Sequence, residues 1–219
     1  MFKWQGRIDN EDGLEGLRWH QKVDEHAYKE SGNLTSVNNS DKRATIDNTV
    51  TLVGFESDLG VAFNKGRTGA AAGPNAIRQA LSNLPWHWPN TPFTDLGNVT
   101  AVDNLAQAQT QYADAISYAL KQHTGFTIGL GGGHEIAWGS YQGLFNTKPE
   151  NARIGIINFD AHFDLRKPAL NTSSGTPFRQ VYDHCQLHNT PFYYACLGVS
   201  KAANTAALFN FANVSNTRY

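Results

Sequence analysis

Ile154-Gly155-Ile156-Ile157-Asn158-Phe159-Asp160-Ala161-His162-Phe163-Asp164 passes without a break from an apolar run to a run of metal-ligand residue types. The apolar part is short and β-rich, which reads as a strand buried on both faces of a parallel sheet. Residues two apart in an extended chain point the same way, so Asp160, His162 and Asp164 share one face if extension persists past the strand. Carboxylate oxygen and neutral imidazole both suit a borderline divalent cation. Open α/β sheets collect ligands at the carboxyl ends of their strands, which is where this triplet falls. The plain alternative for a bare D-x-H-x-D is a polar strand exit that caps a helix and faces water.

A second strand-to-helix handover lies upstream, where the apolar run 125–130 enters Gly131-Gly132-Gly133-His134-Glu135. Glycines there permit a tight turn and close backbone approach, or an anion-binding turn at a helix N-terminus. The run is not a dinucleotide fingerprint, because G-x-G-x-x-G with a distant acid is absent. If the two strands are successive members of one sheet, their exits place His134 beside Asp160, His162 and Asp164. These four are the candidate metal ligands.

Outward from this pair the pattern alternates. Residues 49–55 (TVTLVGF) read as a strand, 60–73 as a glycine-bearing loop and 75–84 as a helix opened by Pro74. Ala76, Ile77, Ala80, Leu81 and Leu84 form its expected inner face. A strand within 93–99 precedes the longest helix, 103–123, with Leu105, Ala108, Tyr112, Ile116 and Ala119 at helical spacing. A helix through about 145 carries Ala137, Tyr141, Leu144 and Phe145 inward. Beyond the central strand, 153–159, come a loop (165–177), a short helix (178–188), a strand (192–199) and a helix (202–211). The alternation argues a parallel sheet covered on both sides, an α/β fold. Residues 1–48 are polar and read as loops with a short helix, 31–48 as loop, packed on a single domain spanning 1–219.

The chain has 219 residues, 40% of them hydrophobic, enough for one domain with a sizeable core. Its formal net charge of −1, with no basic run, argues against a nucleic-acid partner. No apolar stretch approaches the ~20 residues of a membrane span, and Met1-Phe2-Lys3-Trp4-Gln5 lacks the apolar core of a secretory signal. Cys185 and Cys196 form no C-x-x-C and read as small reduced core residues, so the expected location is cytoplasmic.

The residues also carry a resemblance. Gly132-Gly133-His134-Glu135 with Asp160-Ala161-His162-Phe163-Asp164 resembles the metal motifs of the arginase/agmatinase ureohydrolase family, and 69–78 (GAAAGPNAIR) is similar to that family's early loop and helix. Within the family, 4–9 (WQGRID), 174–180 (SGTPFRQ) and 196–200 (CLGVS) look most like the members that hydrolyse N-formimidoyl-L-glutamate in histidine degradation. The resemblance implies a three-layer α/β/α sandwich around a mostly parallel sheet, a homo-oligomer and two manganese ions (Mn2+). His134 and Asp164 would bind one ion, His162 the other, and Asp160 would bridge them. It implies a hydrolase that releases L-glutamate and formamide, with a water activated by the metals as nucleophile and no side chain assigned to that role. A small anionic substrate needs a cation. Arg179 is the candidate for its carboxylate and Arg166 the competitor.

Two departures matter. Guanidino-hydrolases of the family carry a histidine in an S-G-x-x-H-G loop, whereas no histidine occurs between Leu165 and Asp183 here. His184 and His188 read as surface helix residues. The family also draws further carboxylates from a later S-x-D-x-D motif, and this sequence contains no D-x-D. The expectation is an incomplete family member lacking its C-terminal strands, inactive or weakened by itself. The alternatives are an agmatinase or guanidino-acid amidinohydrolase, and a non-catalytic metal-binding module.

Overall fold

The computed structural model describes residues 1–28, 35–36, 48–100, 103–123 and 125–219. Its most enclosed strand is β3 (Val50–Glu56). Val53 and Phe55 pack on one side with Leu105, Ala108, Tyr112 and Ile116 of the long helix α3 (Leu105–Gln122). Val50 and Leu52 pack on the other with Trp4, Trp19, Trp86, Phe93 and Leu130. A strand apolar on both faces requires cover on both, and these two cores supply it. The five residues expected to form the buried stripe of α3 are all buried. Asn104 caps that helix by accepting from the Gln107 N–H at 3.0 Å.

The main sheet has five strands: β1 (Val23–Ala27), β2 (Thr35–Ser36), β3, β4 (Phe93–Thr100) and β5 (Thr127–Leu130). Their order is β2-β1-β4-β3-β5, parallel throughout except for β1–β2. A second, two-stranded parallel sheet pairs β6 (Gly155–Phe159) with β7 (Tyr193–Leu197). The helices between are α1 (Leu59–Phe63), α2 (Gly73–Ser82), α3, α4 (Ile136–Phe145), α5 (Pro177–Leu187) and α6 (Ala206–Val214). α4 bridges the two sheets, packing on α3 and on α5. The architecture is α/β with parallel sheets, as the alternation indicates, and no described helix is long and apolar enough to cross a membrane.

Several expectations need correction. β5 and β6 do not share one ladder; among the described residues they are the edges of two sheets. Nor are they buried on both faces: Ile128 is 42% exposed, Ile157 68% and Phe159 82%. Their composition is that of doubly covered strands, but cover here reaches only the Ile156–Asn158 side of β6. β1 stands where only loops and a helix were expected, because VDEHA is too short and polar to signal a strand and is recruited by pairing with β4. The loop 60–73 includes α1 and a 3-10 turn at Ala70–Ala72. In α4, Leu144 is exposed rather than inward.

The face of α2 is also different. Its buried residues are Pro74, Arg78 and Ser82, while Ile77 and Leu84 are exposed. Arg78, fully buried, donates through Nε and Nη2 to the two oxygens of Asp95, each at 2.7 Å. Asp95 also accepts from the Trp4 indole at 2.8 Å. A hydrophobic pattern cannot find a helix face whose burial rests on a bidentate ion pair. Of the loop expected over 31–48, most lies outside the described residues.

Candidate metal centre

The glycine turn after β5 lies directly on the exit of β3. Gly132 N–H donates to Phe55 O at 3.0 Å and Gly133 N–H to Ser57 O at 2.8 Å. A Cβ on Gly132 would stand 2.2 Å from Ser57 O and 2.5 Å from Phe55 O. Gly132 therefore serves close approach. The anion-turn alternative loses two of its donors, since both amides are already taken. Next to the turn, the fully buried Glu135 accepts from Gly60 N–H at 2.7 Å, and its main-chain carbonyl accepts from the Gln109 amide at 2.8 Å. Burial raises its pKa above the carboxylate norm.

His134 is held between these anchors and reaches across to the other sheet. Its Nδ1 lies 2.6 Å from Asp164 Oδ2 and 3.3 Å from Asp160 Oδ2. Phe178 meets the imidazole edge to face at 5.6 Å. Burial opposes the imidazolium, but the Asp164 and Asp160 carboxylates outweigh it and hold the His134 pKa above its usual value.

The triplet after β6 converges by a different route from the one expected. Extension does not persist. Asp160 Oδ1 accepts from the His162 N–H at 2.9 Å, and Asp164 adopts φ 47°. The curl brings Asp160 and Asp164 to one point and turns His162 to the far side of Asp160, its Nδ1 3.4 Å from Asp160 Oδ1. Asp160 thus presents one oxygen to each of two imidazoles. Donor atoms of His134, Asp160 and Asp164 lie within 4.8 Å of one another, the one such group among the described residues. His162 lies outside this trio. The donor set of nitrogen and carboxylate oxygen, with Asp160 between two histidines, fits divalent manganese.

A cavity of about 250 Å³ opens onto the four residues and is lined further by Asn64, Arg166, Ser174, Ala203, Asn204 and Leu208. Arg179 is not brought there. Its Nε donates to Asp183 at 3.0 Å, one helical turn on, and its guanidinium stacks 4.0 Å over Phe211. Arg166 is the cation at the cavity. His184 and His188 belong to a separate aromatic group with Trp138, Tyr141 and Phe145. Asn204 carried no sequence signal, since nothing marks an asparagine whose partners are main-chain atoms of Ala161 and Phe163, some forty positions away. Cys185 and Cys196 are free and buried, as read.

These features define a class: an α/β protein with a histidine–carboxylate cluster, able to hold a divalent cation, at the carboxyl ends of parallel strands. The chain belongs to the Arginase family, whose pattern it matches over residues 48–218. It is 48% identical to a formimidoylglutamase of Vibrio cholerae, over 96% of this chain and 61% of that protein. It is 46% identical to one of Aeromonas salmonicida, over 100% of this chain and 65% of that protein. The crystal structure of a Trypanosoma cruzi formiminoglutamase variant with Mn2+ superposes with a TM-score of 0.70 at 25% identity, covering 82% of this chain and 61% of that one. The chain thus spans about three fifths of the length of the relatives it matches.

Proposed function

We propose that this chain provides the His134–Asp160–His162–Asp164 metal centre of a hydrolase that cleaves N-formimidoyl-L-glutamate to L-glutamate and formamide in histidine degradation. The supporting observation is Asp160, placed between the imidazoles of His134 and His162 in a chain whose curated relatives are formimidoylglutamases. On this reading His134, Asp160, His162 and Asp164 would hold two Mn2+. When bound, such ions supply Lewis acidity and make a nucleophile of water at neutral pH.

The chain's own residues do the rest. Glu135 and the Gly132 turn fix the height of His134. Phe178 closes its apolar side and keeps bulk water from that edge. Arg166, at the cavity mouth, takes a substrate carboxylate through paired hydrogen bonds. Its main chain is tied back, N–H to Gly175 O at 3.0 Å, which keeps the loop beside the cluster. Full turnover is assigned to a polypeptide of the relatives' length, in the cytoplasm and as a homo-oligomer. The 219 residues alone are expected to bind the metal weakly and to release no glutamate.

The deciding assay measures glutamate and formamide release, against urea release from agmatine, in a protein of full family length carrying this segment. Metal stoichiometry is measured in parallel. Formamide with two ions per chain supports the proposal. Urea release instead, or no metal bound by the wild-type segment, overturns it. Metal-dependent glutamate release by the 219 residues alone would refute the expectation that they release none.

A further inference from the structure

The loop that carries the carboxylates is secured at each of its main-chain carbonyls. Ala161 O accepts from Asn204 Nδ2 at 2.8 Å and from Ser200 N–H at 2.9 Å. Phe163 O accepts from the Tyr194 hydroxyl at 3.0 Å, and Asp164 O from Phe178 N–H at 3.2 Å. The Cys196 thiol lies 3.2 Å from His162 O and 3.6 Å from Asp160 O, so one proton serves two acceptors. Except for the main-chain donor of Phe178, on α5, these groups reach in from β7 and from the segment between β7 and α6.

Asn204 differs from the others in holding both directions of the loop. Its Oδ1 accepts from Phe163 N–H at 3.1 Å, while its Nδ2 donates to Ala161 O and, at 2.8 Å, to Ser200 O. Two amide protons and the carbonyl are all engaged in a side chain 9% exposed. The loop it grips is under load, because Asp164 sits at φ 47°, a left-handed conformation that costs a non-glycine residue energy unless its surroundings impose it. Tyr194 also stacks on Phe178 at 4.4 Å, so its hydroxyl is entangled with core packing. Asn204 is the member whose polar contacts concern the loop and its flank alone.

We propose that Asn204 is the positioning residue of this centre. Its carboxamide sets the backbone of 161–163 so that Asp160 and Asp164 meet His134 before any cation arrives. The proposal rests on the reading of these residues as a metal centre, and it reaches beyond that reading to a side chain outside the ligand set, whose polar atoms are all engaged by main-chain groups. Partners that orient metal ligands typically cost about 10–100-fold in affinity when removed.

The test uses the 219-residue chain. Without metal, amide hydrogen exchange at Phe163 is expected to be about tenfold slower than at His162, whose acceptor is the more exposed Asp160 side chain. Asn204→Ala and Asn204→Leu should each speed Phe163 exchange about tenfold, the loss of one buried hydrogen bond. They should also weaken Mn2+ binding, by calorimetry, about 10–100-fold. Ser215→Ala is the control: it removes a buried hydroxyl bonded to Ala212 O, at the end of α6, that makes no contact with the loop. It should lower thermal stability and leave both readouts in place. Unchanged Phe163 protection or unchanged Mn2+ affinity in the Asn204 variants overturns the proposal, as does an equal effect of Ser215→Ala. If those variants do not fold, wild-type Phe163 exchanging as fast as His162 overturns it. If the wild type binds no Mn2+, the metal reading fails while the exchange result still decides the positioning role.

Discussion

Gly131 and Gly132 are identical neighbours in sequence with opposite expected tolerance. A Cβ on Gly131 would find Ile136 Cγ2 at 3.9 Å, an ordinary contact. A Cβ on Gly132 would meet two backbone oxygens at 2.2 and 2.5 Å, and 3.4 Å is where ordinary contact begins. Backbone oxygens in a buried strand and at its exit cannot swing aside as a side chain would, so the turn itself must move by about 1 Å. That movement breaks Gly132 N–H to Phe55 O and Gly133 N–H to Ser57 O, each worth about 0.5–1.5 kcal/mol. Overpacking adds about 1–3 kcal/mol. Gly132→Ala is therefore expected to destabilise by about 2–6 kcal/mol, a fall in Tm on the order of 10 °C at this size. Gly131→Ala should lie within about 0.5 kcal/mol of wild type. Thermal unfolding by far-UV circular dichroism measures both, and Mn2+ calorimetry shows whether His134 moves with the turn. Equal melting temperatures for the two variants would refute the close-approach reasoning, as would Gly132→Ala with unchanged metal affinity.

Arg78→Leu should cost about 3–5 kcal/mol in urea titration, because it strands a fully buried Asp95; a loss below 1 kcal/mol would mean water reaches that carboxylate. Asp160→Ala should weaken Mn2+ binding more than His162→Ala, since Asp160 faces both imidazoles; the reverse order in calorimetry would contradict the bridging role. Burial pushes the Tyr112 phenol up to about 12, and burial likewise raises Tyr141 and Tyr194. Above pH 10 the unfolded chain holds fewer phenolic protons than the folded one, so stability is full below pH 10 and falls from 10 to 12. Tyr112 alone contributes about 3 kcal/mol of that fall; flat stability across the range in denaturant titrations, or early ionisation by tyrosinate absorbance, would contradict it.

The parts of the fold legible in sequence are those that obey one period. β3 and α3 show their burial directly in their apolar spacing, and the paired G-G-G-H-E and D-A-H-F-D runs mark where the centre forms. What stayed hidden depends on partners distant in the chain. The buried face of α2 is set by Asp95, seventeen positions after Arg78. β1 exists because β4 is beside it. The division between β5 and β6 reflects pairing, which composition does not encode. At the centre, alternation predicts one shared face for Asp160, His162 and Asp164, but the side chain of Asp160 bends the loop instead. Arg179 and Arg166 are equal candidates on charge, and only the cavity separates them.

The aromatic group around β3 also makes the chain its own optical reporter. Trp4, Trp19 and Trp86 gather in one core, Trp19 and Trp86 with ring centres 5.5 Å apart and the exposed Trp88 edge-on to both, whereas Trp138 stands apart on Tyr141 and His184. Emission from the first four follows the larger sheet, and emission from the fifth follows the contact between α4 and α5. A Trp138→Phe variant subtracts that second signal, so the order in which the two halves melt can be recorded without adding a dye.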